Sequence, residues 1–310
     1  MTNMLSRKKD KVDDLAATAA GHSLAQQAFR RMARSPVAIT GAVITGLFLL
    51  LAIFAPFIAP KDPYERYLQG EVALGQGIIP GPQAGFPLGV DDFGRDLLSR
   101  MLVGAQQTLL VGVMATLIGL VIGMIIGGIA GAFGGWIDTV LMRLVDVMLS
   151  IPSLLLAISI AALAAKPSQW TVIIAVAMVS VPIFARLLRG TMLAQRSSDH
   201  VLAATALGVK RHTIVLRHML PNSLGPVIVQ ATLTLATSII EAAALSFLGL
   251  GDPDPTRAEW GLMLGKAARQ FLDIRPELAF YPAIAIIIVA LGFTLLGESM
   301  REALDPKNRR

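Results

Sequence analysis

The sequence predicts an all-α integral membrane protein with six transmembrane helices. Hydrophobic residues make up 54% of the 310 and charged residues only 15%, with a mean hydropathy of +0.65. That balance is too apolar for a soluble domain. Charge-free runs such as Ser35 to Pro60 and Met101 to Ile137 are long enough to cross a hydrocarbon core of about 30 Å. The basic residues behind the net charge of +6 cluster beside these runs. They read as topology signals, not as a nucleic-acid surface. The chain contains no cysteine, which excludes disulfides and thiolate metal sites.

Residues 1–35 form a polar tail carrying Arg7, Lys8, Lys9, Lys11, Arg30, Arg31 and Arg34. The apolar run at 36–60 is too long for the core of a cleaved signal peptide and is read as the first span. An outer loop at 61–105, rich in Gly, Pro and Asp, separates it from a five-helix core at 106–297. Within that core the spans fall at about 106–131, 147–165, 169–187, 222–248 and 279–297. Loops at 188–221 and 249–277 interrupt them, and a basic tail, 298–310, closes the chain. Six spans put both termini on one side. The 188–221 loop and both tails are basic with few acids, so positive-inside reasoning places them in the cytoplasm. The 61–105 and 249–277 loops then face outward.

Gly119, Gly123, Gly127 and Gly131 recur every four residues through span two, extending from Ala115 and towards Gly135. A period of four lays them on one helix face. In lipid such a face lets two backbones approach and pack. Static packing and a face that slides during gating both fit this pattern. Near span three, Arg143 and Asp146 stand three apart and can pair on a helix. Residues 147–165 nearly span alone, so Asp138, Arg143 and Asp146 are read as carried by a helix protruding into the cytoplasm. The alternative puts Asp146 about 12 Å deep, where carboxylates are costly and often functional. Pro152 is expected to kink this span. His200, His212 and His218 match no zinc spacing, and Lys210, Arg211 and Arg217 beside them would repel a cation. The stretch Gly261 to Ala267 approaches a phosphate loop but is one residue short and lacks the Ser/Thr that holds magnesium. This chain is therefore not expected to hydrolyse ATP.

The most organised polar interruption is DHVLAATALGVKRHTIVLRHMLP, Asp199 to Pro221. Good helix formers flank Gly208, which sits where the first piece needs a left-handed cap. Pro221 suits the opening turn of a following helix. Lys210, Arg211 and Arg217 hold the loop out of the bilayer. Ala203, Ala204, Gly208, Leu220 and Pro221 resemble the E-A-A-x3-G-x9-I-x-L-P pattern of ABC-importer permeases. Leu202 replaces the Glu of that pattern and His218 the Ile. The resemblance implies a coupling helix, a small-residue knob that docks into a groove on a separate ATPase subunit.

Residues 87–100, PLGVDDFGRDLLSR, resemble the PLGTDxxGRDxxSR signature of the oligopeptide/dipeptide/nickel permease family, with Gly94, Arg95, Asp96, Ser99 and Arg100 in place. Glu241 to Gly251 (EAAALSFLGLG, including Gly249), Trp260-Gly261 and the 295–306 segment also match. Together these cover the chain from about residue 36 onward. The resemblance implies a type I ABC importer permease core, specifically the second permease of a peptide importer. It further implies a bacterial inner-membrane location, a homologous permease partner, two ATPase subunits and an external substrate-binding protein. ATP and magnesium would be bound by those ATPase subunits, and this chain would hold no cofactor, metal or nucleic acid. The outer motifs themselves can be read as structural: GRDLLSR as an interfacial amphipathic helix, SFLGLG as the end of span five. Nickel and glutathione remain open beside peptides as the cargo. A secondary transporter would need paired interrupted helices and buried midplane carboxylates. Spans one, two and six lack charge at their centres, which argues against it.

Overall fold

The computed structural model describes residues 29–304, and within them every element is helical or a turn. The basic residues at 7–11 and the last residues from 305 lie outside the described range. Five helices are long and apolar enough to cross a membrane: α1 (Pro36–Ile58), α2 (Leu97–Phe133), α5 (Gln169–Arg196), α7 (Arg211–Phe247) and α9 (Glu277–Leu304). The shorter α3 (Gly135–Ser150), α4 (Ser153–Ala162), α6 (Asp199–Ala206) and α8 (Trp260–Gln270) complete the fold.

Helix α1 opens on Ser35, whose side chain accepts from the Ala38 amide at 3.4 Å, with Pro36 in the first turn. It presents Val43, Leu47, Leu50 and Ile53 outward and small residues inward. A Cβ on Gly41 would come within 2.7 Å of the Leu296 amide on α9, and one on Gly292 within 2.6 Å of Ile44. The two helices therefore approach backbone to backbone.

Helix α2 is longer than the sequence suggests. It starts at Leu97, not near 106, because Asp96 caps it by accepting from the Ser99 amide at 2.8 Å. Its 37 residues rise about 55 Å, well beyond a hydrocarbon core of about 30 Å. The glycine stripe lies buried against α5, and the two helices run parallel and in step. Gly119 faces Ala177 and Ser180, Gly123 faces Val181 and Phe184, Gly127 faces Ala185, and Gly131 faces Arg189 and Met192. A Cβ on Gly123 would lie 2.7 Å from the Val181 carbonyl oxygen. The stripe ends at Gly131. Gly135 is exposed, lies past the helix end and has φ of +60° at the turn into α3.

The third expected span is a broken pair. Helices α3 and α4 meet at 97°, and the cause is local. Pro152 has no N–H to continue α3, and it drives Ile151 into an extended conformation at φ −92°, ψ 131°. Helix α4, with 10 residues, rises only about 15 Å and cannot cross alone. The two carboxylates of α3 pair across to α5 and not along their own helix. Asp138 takes Arg189 at 2.6 and 2.7 Å, and Asp146 takes Arg186, so the expected Arg143–Asp146 pair does not form.

Helix α5 is the most enclosed of the long helices and packs on α2, α3, α4 and α7. Helix α7 contains a π-helical stretch, Ile214–Met219, so Leu220 and Pro221 lie within one continuous helix and do not start a new one. The 249–277 loop carries α8, whose apolar Trp260, Leu264 and Ala267, continued by Phe271 at its cap, recur at helical spacing.

The stripe makes a direct prediction. Gly127→Leu forces α2 from α5 and should cost about 1–3 kcal/mol or more, since interior overpacking strains both backbones. Ile125→Ala, on the exposed side of the same helix, should change little. Thermal denaturation midpoints and recovery of monodisperse protein in detergent check this. Equal behaviour of the two variants would mean the stripe is not a packed contact.

Candidate functional site

Two polar constructions stand at opposite ends of α2. At its amino-terminal end Asp91, with 7% of its surface exposed, organises a buried latch. Its Oδ1 accepts the Phe93 and Arg95 amides at 2.9 and 3.0 Å. Its Oδ2 meets Arg95 Nε at 2.7 Å and Arg100 Nε at 3.1 Å. The two guanidinium groups then reach the 252–259 linker. Arg95 donates to the Pro255 carbonyl at 3.1 Å, and Arg100 donates to Thr256 and Arg257 at 3.1 and 3.0 Å and to Pro63 at 3.2 Å. Ser99 Oγ donates to Asp96 at 2.6 Å and accepts the Lys61 amide at 3.1 Å. Gly94 has φ of +77°, and a Cβ there would come within 2.5 Å of the Gln69 amide. Both facts call for glycine.

The latch continues into α8. Glu259 caps it by accepting the Gly261 and Leu262 amides at 2.8 and 3.0 Å. Burial raises the Glu259 carboxyl above its ordinary value, against the lowering pull of those amides. Trp260 lies against Gly104 of α2, donates from Nε1 to the Met101 carbonyl at 2.9 Å and stacks near Phe48 at 5.6 Å. Lys266 pairs with Asp92 at 2.5 Å. The Gly261–Ala267 stretch is thus helix, with Gly261 and Gly265 pressed on Ala243 and Phe247 of α7. It is not a phosphate loop. GRDLLSR is likewise no interfacial amphipathic surface, because Arg95, Asp96, Ser99 and Arg100 are all buried. A recess of about 240 Å³ beside the latch is lined by Asp92, Arg95, Arg100, Arg257 and Lys266 among others. Glu241 and Gly251 sit apart from it. Gly249, at φ +84°, ends α7, and Gly251 packs on Ser246.

At the carboxyl-terminal end of α2 lies the 199–221 segment. Helix α6 ends in a Schellman motif: Val209 N–H bonds to Ala204 O at 3.1 Å and Gly208 N–H to Thr205 O at 3.0 Å. Gly208 has φ of +75°, the left-handed position expected of it. The two small residues differ in direction. Ala203 is exposed, whereas Ala204 is buried in a cluster with Val201, Ile214 and Met219. The outward face of α6 is Leu202, Ala203, Ala206 and Leu207, with Leu207 83% exposed. Arg211 has a specific role beyond charge. It donates to the Ala132 and Phe133 carbonyls at 2.7 and 2.8 Å, and Arg196 donates to Gly131 and Ala132 at 3.3 Å. Two cations therefore satisfy the unpaired carbonyls and negative dipole end of α2. Lys210 and Arg217 are exposed. Asn222 donates to the His218 carbonyl at 2.7 Å and sits 3.2 Å from His200 Nε2. Among the described residues there is no cluster of metal-binding side chains.

The described residues form a bundle of apolar helices, latched at one end of α2 and carrying the exposed α6 at the other, and comparison with known proteins gives its class. Residues 119–310 match the family described as binding-protein-dependent transport system inner membrane component. Residues 23–74 match the N-terminal transmembrane domain of oligopeptide transport permease C. The chain belongs to this family and is the permease subunit of an ABC importer. It is 43% identical over 282 residues to the dipeptide transport system permease protein DppC of Alkalihalophilus pseudofirmus, covering 91% of this chain and 90% of that one. It is 46% identical over 279 residues to the glutathione transport system permease protein GsiD of Shigella flexneri, covering 90% and 89%. The fold also matches an inward-facing MetNI methionine ABC transporter chain with a TM-score of 0.54 at 18% identity, over 66% of this chain and 96% of that one.

The shared carboxylate of the latch can be tested. Asp91→Asn leaves Arg95 and Arg100 buried without their anion, which should cost about 3–5 kcal/mol. The 252–259 linker should then become open to limited proteolysis, and the thermal midpoint should fall. An unchanged midpoint and cleavage pattern would show that the pair does not hold the linker.

Proposed function

We propose that this chain forms half of a heterodimeric pore that imports short peptides, handed over by an external binding protein, across a bacterial inner membrane. A homologous permease supplies the other half. Two ATPase subunits bind ATP and magnesium and do the hydrolysis, and one of them docks on the 199–221 segment. Both termini and that segment face the cytoplasm, while 61–105 and 249–277 face outward. The observation that carries the coupling reading is the outward apolar face of α6, with Ala203 and Ala206 between Leu202 and Leu207, fixed to the end of α2 through Arg211. A fully two-way switch of the pore from 1:99 to 99:1 needs about 5.5 kcal/mol of differential binding. Docked loops driven by ATP supply a difference of that size without calling on the substrate. The peptide reading rests on relatives named for dipeptide and glutathione transport, both short peptides with a free α-amino group.

Ala203→Arg should block docking from the exposed face of α6. Gly208→Val should strain a left-handed position by about 1–3 kcal/mol and re-aim the knob. In proteoliposomes containing the full complex, both variants should lose dipeptide uptake and the ATPase stimulation by loaded binding protein together. Wild-type levels of both in either variant would remove this segment from the coupling path.

A further inference from the structure

Glu241 stands out among the carboxylates of the long helices. The others are placed or paired differently: Glu277 pairs with Arg275 at 3.2 Å, Glu298, also six residues from a helix end, pairs with Arg301 at 3.8 Å, and Glu302 is in the last turn of α9. Glu241 lies six residues before Phe247, the end of α7, about 9 Å inside the helix. Among the described residues no cation faces it, and its polar neighbour is the Ser153 side chain at the start of α4. A carboxylate without a cation partner inside an apolar span is costly against lipid.

The surface around it agrees. The exposed side of α9 is bulky and apolar, with Phe280, Ile284, Ile287 and Leu291. The side of α7 that carries Glu241 instead presents Thr237 one turn before it and Ala244 one turn after. Ser153, and not Glu241 itself, lines a recess of about 400 Å³ at the α3–α4 elbow, where Pro152 breaks the helix. That is within the range of about 300–1,000 Å³ typical of small-ligand sites. Glu241 reaches that space through Ser153. A carboxylate and a hydroxyl offer acceptors to a group with several donors. With no cation nearby, the place favours a positive ligand.

We infer that Glu241, with Ser153, holds the α-ammonium group of the peptide as it passes through the pore. This rests on the peptide reading above. It makes Glu241 a specificity-determining residue inside the membrane, separate from selection by the binding protein.

The test uses the whole complex in proteoliposomes, with dialanine as the probe. Glu241→Gln should lower dialanine uptake by about tenfold or more, the size of one charge-assisted hydrogen bond. Complex recovery and ATPase stimulation by loaded binding protein should stay within about twofold of wild type. Glu241→Asp, which keeps the charge, should restore most of the uptake. Uptake by Glu241→Gln within about twofold of a transporting wild type would overturn this inference and leave the peptide reading intact. Joint loss of recovery, ATPase stimulation and uptake in both variants would also overturn it, because Glu241 would then be holding a cation of the partner permease. If the wild-type complex imports no dialanine from loaded binding protein, the peptide reading fails, and this inference falls with it.

Discussion

The close approach of α2 and α5 is the constraint on which the rest of the structure depends. Hydrophobicity gives little attraction between helices in lipid, so contact area and backbone proximity must supply it. Four glycines in step bring α2 within van der Waals distance of the α5 backbone over about 18 Å, from Gly119 to Gly131. A parallel pair packed this tightly has no room to flex independently. Each end of α2 is then fixed. Trp260 seats against Gly104, and Asp91 ties Arg95 and Arg100 to the linker on one side. Arg196 and Arg211 hold the final carbonyls on the other. Arg196 ends α5 and Arg211 begins α7, so three helices converge where the α6 knob is attached.

That geometry would give the 199–221 segment, in its proposed coupling role, something rigid to push on. Helix α6 itself is short and shallowly anchored, with Val201 and Ala204 as its buried side chains. On the coupling proposed above, movement of the knob would pass through the Arg211 contacts to the end of α2, and α2 would carry α5 with it. The π-helical turns at Ile214–Met219 lie in this path. Such turns are less regular than α-helix and recur at functional sites.

Features governed by local rules were legible in the sequence. The period of four glycines named a packed face, Gly208 named its own left-handed cap, and Pro152 named the place of a kink. The sequence did not show how far each would go. A kink and a 97° elbow share the same proline, and only the packing of α4 on α5 distinguishes them. The start of α2 was missed because charge counting stops at Arg100, while the cap is Asp96 and the arginine is neutralised by Asp91 in three dimensions. The same long-range pairing turned Arg95 and Arg100 from solvated charges into buried ones. Helix α8 had a readable period from Trp260 to Phe271, hidden by its resemblance to a phosphate loop. The direction of Ala204 depends on where Ile214 and Met219 return, which no spacing within α6 reveals.

The central claim is that α2, α5 and the root of the coupling segment move as one body. The chain has no native cysteine, so spin labels can be placed at introduced cysteines replacing Leu117 on α2, Ile174 on α5 and His212 beside Arg211, all exposed. Pulsed electron–electron distances among the three are then compared in the full complex with and without bound ATP. The account predicts that all three distances stay constant while the distance between Leu117 labels and a label on the partner permease changes. A shift between Leu117 and Ile174 approaching one helical turn, about 5.4 Å, would contradict it, because the stripe would then be a sliding face.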